Sequence, residues 1–265
     1  MNKELENLYN SKWSDLCKAL KPIVEGEQHI IKPTYPLLID IAKWENGAPS
    51  EKWYSDAEIR VMIFGQETNK WTLDAKDANA DCDDFGIPPS PIFDPEISMG
   101  AVSGLYANFY TTHYLGNKFN FNDRYGTFHY GFSQLVSLLN QKYEGKRIGY
   151  VWNNIVKFGK SVGKGFDNNI YSVEQQLFSV IPQEIEILKP HIIIFLTGTY
   201  DDKIKDNFGD VTFTPVSSFS EKEVAKVELP NFGTAYRTYH PSAIMQKDRR
   251  EAYYNAIVDS IDLAF

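Results

Sequence analysis

The chain has 265 residues, of which 43% are hydrophobic and 23% charged, and its formal net charge is −8. This composition excludes a disordered or collagen-like chain, and the length suffices to bury a sizeable core. Nucleic-acid-binding proteins are usually basic, so the acidic net charge counts against nucleic-acid binding. No run approaches the roughly 18 apolar residues that a membrane helix needs, and residues 1–6 contain no apolar signal core. We therefore expect a cytoplasmic protein that does not bind a membrane.

The N-terminal region is predicted to begin with a helix. Apolar residues from Leu5 to Leu20 recur at helical spacing, up to Pro22. The residues that follow are mixed and contain several prolines and glycines, which break regular structure. We interpret residues 1–57 as an N-terminal helical elaboration packed on a core domain of residues 58–265.

Strands and helices alternate along the predicted core domain. Short, mostly apolar runs predict strands at 60–64, 147–152 and 192–196. Residues 211–214 are predicted as an edge strand, and residues 235–239 as a further strand that ends at His240. Apolar residues at helical spacing predict helices at 132–139, at 177–188 with an interruption at Pro182, and at 247–261. This order predicts an α/β fold with a mostly parallel sheet and helices on both faces.

Polar side chains follow three of the predicted strands. Gln66 and Glu67 follow the first strand, Asn154 the second, and His240 and Ser242 the last. Since the carboxyl ends of parallel strands meet at one edge, we expect these groups to converge on one crevice. A carboxylate there can act as a general base, a neutral histidine can donate to a developing oxyanion, and amides suit the edge of a planar heterocycle. Each of these residues taken alone is more often a helix cap or a solvated side chain.

Other common chemistries lack their motifs in this sequence. The chain contains no G-x-S-x-G nucleophile elbow, no G-x-x-x-x-G-K-[ST] loop and no G-x-G-x-x-G fingerprint. It has no H-x-E with C-x-x-C, which excludes a zinc deaminase. The five histidines form no i,i+4 metal pair. We therefore expect no metal site.

Four motifs, taken in their order along the chain, resemble those of the uracil-DNA glycosylase superfamily. Gly65–Asn69 reads Gly-Gln-Glu-Thr-Asn and resembles Gly-Gln-Asp-Pro-Tyr of the best-known branch. Val151–Lys157 resembles the strand that ends in a pyrimidine-reading Asn. Lys189–Gly198 has the Lys-Pro before a buried strand and the Gly after it, and His240–Met245 resembles His-Pro-Ser-Pro-Leu-Ser. The resemblance covers roughly residues 58–262.

The resemblance implies a three-layer αβα sandwich around a central, mostly parallel, four-stranded sheet. It also implies an enzyme that flips a uracil or a related damaged base out of DNA and hydrolyses its N-glycosidic bond. The expected partner is single- or double-stranded DNA, with no cofactor. Some branches hold an iron–sulfur cluster with four cysteines, which the two cysteines of this chain, Cys17 and Cys82, cannot do.

The matching motif positions imply two catalytic residues and two contacts with DNA. Glu67 would position the attacking water, and His240 would stabilise negative charge on O2 of the leaving base. Ser242 would hold a phosphate. Met245 would lie near the apolar residue that wedges into the vacated base stack.

The resemblance further implies a set of base-binding residues. Asn154 would read the base edge and Gln66 would contact the base or the nearby backbone, while Phe85 is the candidate for a stacking aromatic. Asn69 stands where the uracil-specific branch has the Tyr that excludes the methyl group of thymine. The smaller, polar Asn69 predicts a pocket that admits bases other than uracil, or a site without activity.

A basic stretch favours contact with phosphates. Residues 145–166 contain five basic and no acidic side chains. Among them, Lys157 and Lys160 are the predicted phosphate contacts. A solvated basic loop would have the same sequence.

Two further hypotheses remain open beside the glycosylase. The chain could be a non-catalytic module that recognises nucleic acid, a nucleotide or a protein partner on the same fold, as the altered first motif allows. It could also hydrolyse free nucleosides or nucleotides, for which an acidic chain is no handicap.

Overall fold

A computed structural model describes residues 1–69, 102–103, 106, 110, 126–244 and 246–263. The chain forms two compact units. Unit 1 consists of Met1–Glu51, Glu67–Leu115 and Asn154–Ile187, and unit 2 consists of Lys52–Gln66, Gly116–Asn153 and Leu188–Phe265.

The described helices and strands are named here in chain order. The helices are α1 (Asn2–Glu25), α2 (Lys52–Ser55), α3 (Thr127–Lys142), α4 (Asn168–Leu177), α5 (Ile181–Leu188), α6 (Asp201–Phe208) and α7 (Lys247–Ser260). The strands are β1 (Lys43–Glu45), β2 (Ala48–Ser50), β3 (Ile59–Gly65), β4 (Ile148–Asn154), β5 (Ile192–Leu196), β6 (Thr212–Pro215), β7 (Val224–Leu229) and β8 (Gly233–Thr238). A short 3-10 helix spans Pro241–Ala243.

Unit 1 is organised by the packing of α1 against α4. The buried face of α1 follows helical spacing and includes Tyr9 and Trp13, whose rings both contact Phe178 just after α4. The helix runs past the predicted end near Pro22 and includes this proline in its last turn. Its end is marked by Gly26, whose N–H donates to the carbonyl of Pro22 over 3.0 Å.

Unit 2 is built on a mixed sheet of six strands in the order β4-β3-β5-β8-β7-β6. The pairs β3–β5 and β5–β8 are parallel, whereas β7 runs antiparallel to both β8 and β6. All five residues of β5 are buried, as expected for a strand covered on both faces. The α/β class predicted from the sequence is therefore confirmed.

The predicted number of four strands is wrong. The two additional strands are β7, for which no strand was predicted, and β6, which corresponds to the edge strand predicted at 211–214. In β7 buried and exposed residues alternate over Ala225–Leu229, which is typical of an antiparallel strand with one solvated face. A tight connection through Asn231 and Gly233, both at positive φ, returns the chain from β7 to β8.

Helices flank this sheet. In unit 2, α3 packs against α7, and α7 also contacts β7. The ring of Phe208 at the end of α6 meets the ring of Phe195 of β5 edge-on at 6.2 Å. Within the described residues, no helix combines the length and the apolar character that crossing a membrane requires.

Candidate functional site

The ends of β3, β5 and β8 meet at one edge of the sheet in unit 2. The side-chain amide of Gln66 donates from Nε2 to the carbonyl of Thr197 over 2.9 Å. The N–H of Gly198 donates to the carbonyl of Thr238 over 3.1 Å. The structure thus brings Gln66, after β3, and His240, after β8, to the two sides of the loop that follows β5.

Gly198 is the point of closest approach in this arrangement. It has a φ of 62°, a conformation that favours glycine. A Cβ at this position would lie 3.3 Å from the backbone nitrogen of His240 and 3.9 Å from Nε2 of Gln66. A side chain at residue 198 would therefore press on the backbone that carries His240.

The imidazole of His240 is fixed by its own turn. Its Nδ1 accepts a hydrogen bond from the backbone N–H of Ser242 over 3.2 Å, which caps the 3-10 helix. The hydroxyl of Ser242 lies 2.7 Å from the same nitrogen. Since a backbone N–H can only donate, Nδ1 carries no proton, and the proton of the neutral ring lies on Nε2. His240 is thereby prepared as a hydrogen-bond donor through Nε2.

Three aromatic side chains form a cluster with this imidazole, and none of them was expected from the sequence to be a site residue. The ring of Phe128 stacks on His240 with centroids 6.1 Å apart and planes at 22°. Phe128 also lies 5.5 Å from Trp152, which meets the ring of His129 edge-on at 4.8 Å. Phe128 and His129 lie in the first turn of α3, ahead of the apolar series that predicted this helix, so their aromatic character was the available signal.

His129 is a second histidine next to the site and is held neutral. Only 4% of its surface is exposed. Burial, and to a lesser degree the proximity of His240, lower the pKa of His129 to about 3. At neutral pH this ring therefore adds no charge beside His240.

Close packing holds the His240 turn against α3. A Cβ on Gly131 of α3 would lie 2.4 Å from Cγ of Pro241 and 2.6 Å from the hydroxyl of Tyr254 of α7. No side chain fits at residue 131 without displacing the turn. The glycine thus allows the 3-10 helix to lie directly on the helix.

A polar network supports the same turn from the β7 side. The Glu223 carboxylate accepts hydrogen bonds from the hydroxyl of Ser220 and from Arg249 and Tyr253 of α7. The hydroxyl of Thr238, two residues before His240, donates to the carbonyl of Glu223 over 2.8 Å. These contacts connect the end of β8 to the start of β7 and to α7.

Ser242 and Gln66 therefore both have structural partners. Ser242 is exposed, and its hydroxyl contacts His240. The amide nitrogen of Gln66 is engaged with the backbone that follows β5. The predicted contacts of Ser242 with a phosphate and of Gln66 with a base stay predictions.

Several other predicted site residues belong to unit 1. Glu67 is half-buried, Asn69 is exposed and Lys160 is half-buried, while Asn154, the last residue of β4, is 1% exposed. Their roles in water positioning, base reading and phosphate binding stay predictions.

Thr68 anchors the backbone between Glu67 and Asn69. It is 2% exposed, and its hydroxyl donates to the carbonyl of Tyr35 over 2.7 Å and accepts from the N–H of Gly159 over 3.2 Å. The threonine that stands in place of the family proline thus fixes this segment by hydrogen bonds within unit 1.

The structure contradicts the predicted phosphate contact of Lys157. Its side chain is 0% exposed, and Nζ donates to both carboxylate oxygens of Glu184 at 2.7 Å. The hydroxyl of Tyr9 donates to the same carboxylate over 2.6 Å. A lysine enclosed with its counter-ion is unavailable to a ligand in solvent, and the apolar stretch around it explains why it is buried.

Other basic residues of the stretch at 145–166 also have partners within the protein. Before β4, Nζ of Lys146 lies 2.9 Å from Glu58, and Arg147 donates to the carbonyl of Asp56 over 2.8 Å. Lys160 and the exposed Lys164 lie beyond the other end of that strand. Three of the five basic residues therefore have protein partners, since Lys157 is enclosed with Glu184 and Lys146 and Arg147 bind Glu58 and Asp56.

Two predicted site residues, Phe85 and Met245, lie outside the described residues. Among the residues that the structure does describe, no group of three or more His, Cys, Asp or Glu side chains could hold a metal ion. No family model and no curated protein matches the chain.

Proposed function

We propose that the protein is a DNA glycosylase that hydrolyses the N-glycosidic bond of uracil or a related damaged base. The observation that carries the proposal is the state of His240: its Nδ1 is occupied by Ser242, its Nε2 holds the proton, and its ring stacks on Phe128. A donor fixed in this way is what the reaction needs at the leaving base.

The chemistry of the step defines what His240 would do. Water adds to C1′ of the sugar as the bond from C1′ to the base nitrogen breaks, and the bonding electrons move onto the base. Negative charge develops on O2 of a leaving pyrimidine, where Nε2–H of His240 can donate. The water loses one proton and the leaving base anion takes up one, so the products are a neutral free base and an abasic sugar. The assignment of Glu67 to the water rests on the sequence resemblance.

The topology of unit 2 supports the family fold that we propose. Strands β4, β3, β5 and β8 are adjacent in the sheet, and the pairs β3–β5 and β5–β8 are parallel, which is compatible with a mostly parallel four-stranded core. We interpret β7 and β6 as an antiparallel extension on that core, within a three-layer αβα arrangement.

One observation favours a second candidate function, the hydrolysis of free nucleosides or nucleotides. The net charge is −8, and in the basic stretch that suggested a DNA-binding face Lys157 is buried and Lys146 is paired with Glu58. A free nucleoside is neutral and needs no basic face, whereas non-specific DNA affinity depends on one.

A glycosylase assay tests the proposal. Labelled single- and double-stranded oligonucleotides containing uracil, hypoxanthine or 5-hydroxymethyluracil are incubated with protein and cleaved in hot alkali at abasic sites. We expect cleavage by the wild type, a strong loss of cleavage in His240→Ala, and no loss in His191→Ala, the matched control. His191 is an exposed histidine that bonds to Arg60 before β5.

Parallel incubations with deoxyuridine and deoxyuridine monophosphate, followed by chromatography of the released base, test the second candidate. Turnover of these small substrates without oligonucleotide cleavage would favour it. If no substrate reacts at high protein concentration, the glycosylase proposal fails for those bases.

A further inference from the structure

A pocket opens next to the His240 turn, within unit 2. Its volume is about 370 Å³, in the size range of sites for small organic ligands. It is lined by one exposed amide, one guanidinium, two tyrosine rings and two apolar side chains, namely Gln246, Arg249, Tyr239, Tyr253, Ala243 and Ile244.

The aromatic part of this pocket is rigidly built. Tyr253 is 1% exposed, and its ring meets the ring of Phe219 edge-on at 5.0 Å. The Tyr239 ring lies 6.2 Å from that of Tyr253, and the guanidinium of Arg249 lies 5.6 Å from the same ring. Tyr239 is therefore supported from behind and half-exposed towards the pocket. A supported, accessible ring is suited to stacking with a planar ligand.

The charge of the pocket favours a neutral ligand over a phosphate. Nη2 of Arg249 lies 2.6 Å from the carboxylate of Glu223. Hydrogen bonds from Ser220 and Arg249 lower the pKa of Glu223 to about 2, so this carboxylate is charged throughout the neutral range. The positive charge of Arg249 is therefore balanced by Glu223. The pocket presents to a ligand the ring of Tyr239, the amide of Gln246 and this ion-paired guanidinium.

We propose that this pocket binds the nucleobase of a nucleotide next to the one whose glycosidic bond is cut. The base stacks on Tyr239, and the exposed amide of Gln246 offers both donors and an acceptor to its edge. The inference rests on the proposed function, because Tyr239 directly precedes His240 and the two sites share one turn. It makes an oligonucleotide, rather than a free nucleoside, the preferred substrate.

Binding measurements test this subsite separately from catalysis. Fluorescence anisotropy of a labelled single-stranded 12-mer of thymidine is measured with wild-type protein, Tyr239→Leu and Gln246→Ala. The matched control is Tyr143→Leu, which removes a half-exposed tyrosine at the end of α3. We expect Tyr239→Leu to weaken binding about 5- to 100-fold, Gln246→Ala to weaken it several-fold, and the control to leave it unchanged.

The salt dependence identifies the type of contact. Stacking of a neutral base releases no counterions, so Tyr239→Leu should lower the affinity without changing the slope of log K against log salt. Circular dichroism melts verify that each variant is folded, and the exposed Gln246 provides a second test if Tyr239→Leu is unstable.

The possible outcomes separate this inference from the proposed function. Binding that is absent in the wild type, or equal in Tyr239→Leu, Gln246→Ala and wild type, overturns the subsite, whether or not glycosidic activity is found. Binding that depends on Tyr239, without turnover of any base, supports the subsite and overturns the proposed function. If Arg249→Gln lowers the salt slope by about one while Tyr239→Leu has no effect, the pocket binds phosphate instead.

Discussion

Phe128 and His240 lie with their ring planes 22° apart, although one begins α3 and the other follows the last strand of the sheet. The contact places a helix N-terminal turn against the histidine that we propose as the catalytic donor. Phe128 contacts the face of the imidazole, and Ser242 contacts its Nδ1. These two contacts together fix the orientation of the ring.

Replacement of either ring should reduce turnover. His240→Ala removes the donor and should lower kcat about 100- to 1,000-fold, as the loss of an oxyanion donor does in other enzymes. Phe128→Leu keeps apolar bulk but loses the stacked ring, and we expect a smaller loss of about tenfold. Phe232→Leu, on the far end of the sheet against Phe208, is the matched control. Equal kcat for Phe128→Leu and wild type would show that the stacking has no role.

The tautomer of His240 can be observed directly. We expect ¹⁵N NMR of the imidazole to show a protonated Nε2 and an unprotonated Nδ1 at neutral pH. Ser242→Ala removes the hydroxyl but keeps the backbone N–H, so the same tautomer should persist while kcat falls several-fold. A protonated Nδ1 in the neutral wild-type ring would contradict the assignment.

Gly198→Ala should be more damaging than an equivalent substitution elsewhere. Gly47→Ala is the matched control, since Gly47 in the two-residue turn between β1 and β2 also has a positive φ but a Cβ there would meet nothing within 4 Å. We expect the control to cost about 1–2 kcal/mol in backbone strain, and Gly198→Ala to cost about 1 kcal/mol more because its methyl group presses on the backbone of His240. Urea denaturation measures both. An equal loss in the free energy of unfolding for both variants would show that a methyl group at residue 198 does not press on the backbone of His240.

Lys157→Met should destabilise the protein rather than weaken phosphate binding. It leaves the Glu184 carboxylate buried without its counter-ion, which costs about 3–5 kcal/mol. The control is Lys146→Met, which breaks an ion pair between two side chains that are 41% and 40% exposed, and it should have little effect. Both are measured by urea denaturation. A Lys157→Met protein of wild-type stability with reduced DNA affinity would restore the interpretation of Lys157 as a phosphate ligand.

The buried His129 should make the protein less stable in acid. Its pKa is about 3 in the folded protein and 6.5 in the unfolded chain. Between these values the unfolded state binds more protons, so the free energy of unfolding falls as the pH decreases, by at most about 1.4 kcal/mol per pH unit from this group.

His129→Phe preserves a ring against Trp152 and removes the titrating group. Its free energy of unfolding should therefore depend less on pH between 4 and 6 than that of the wild type. His191→Gln, at an exposed position, should change this dependence far less. Denaturant titrations at several pH values measure all three proteins, and parallel curves for wild type and His129→Phe would contradict the role of burial.

The candidate site was only partly predictable from its residues. Gln66 was expected at a strand end because an apolar run stops at Gly65, and His240 because it follows the predicted strand 235–239; both lie beside Gly198 in the structure. Lys157 was predicted as a phosphate contact because it is a basic residue, and its burial could not be read from the neighbouring sequence. Its partners Glu184 and Tyr9 come from distant helices, and only the folded chain shows that the three groups share one buried cluster.

Local patterns in the sequence were sufficient to predict the α/β class and the positions of β3, β4, β5 and β8, because a buried strand is a local apolar run. They were insufficient for the six-stranded sheet, since the pairing of β7 with both β8 and β6 depends on contacts between segments rather than on the pattern within one. The stacking of Phe128 on His240 is likewise a property of the folded chain, since the packing of α3 on the Pro241–Ala243 turn brings these distant residues together.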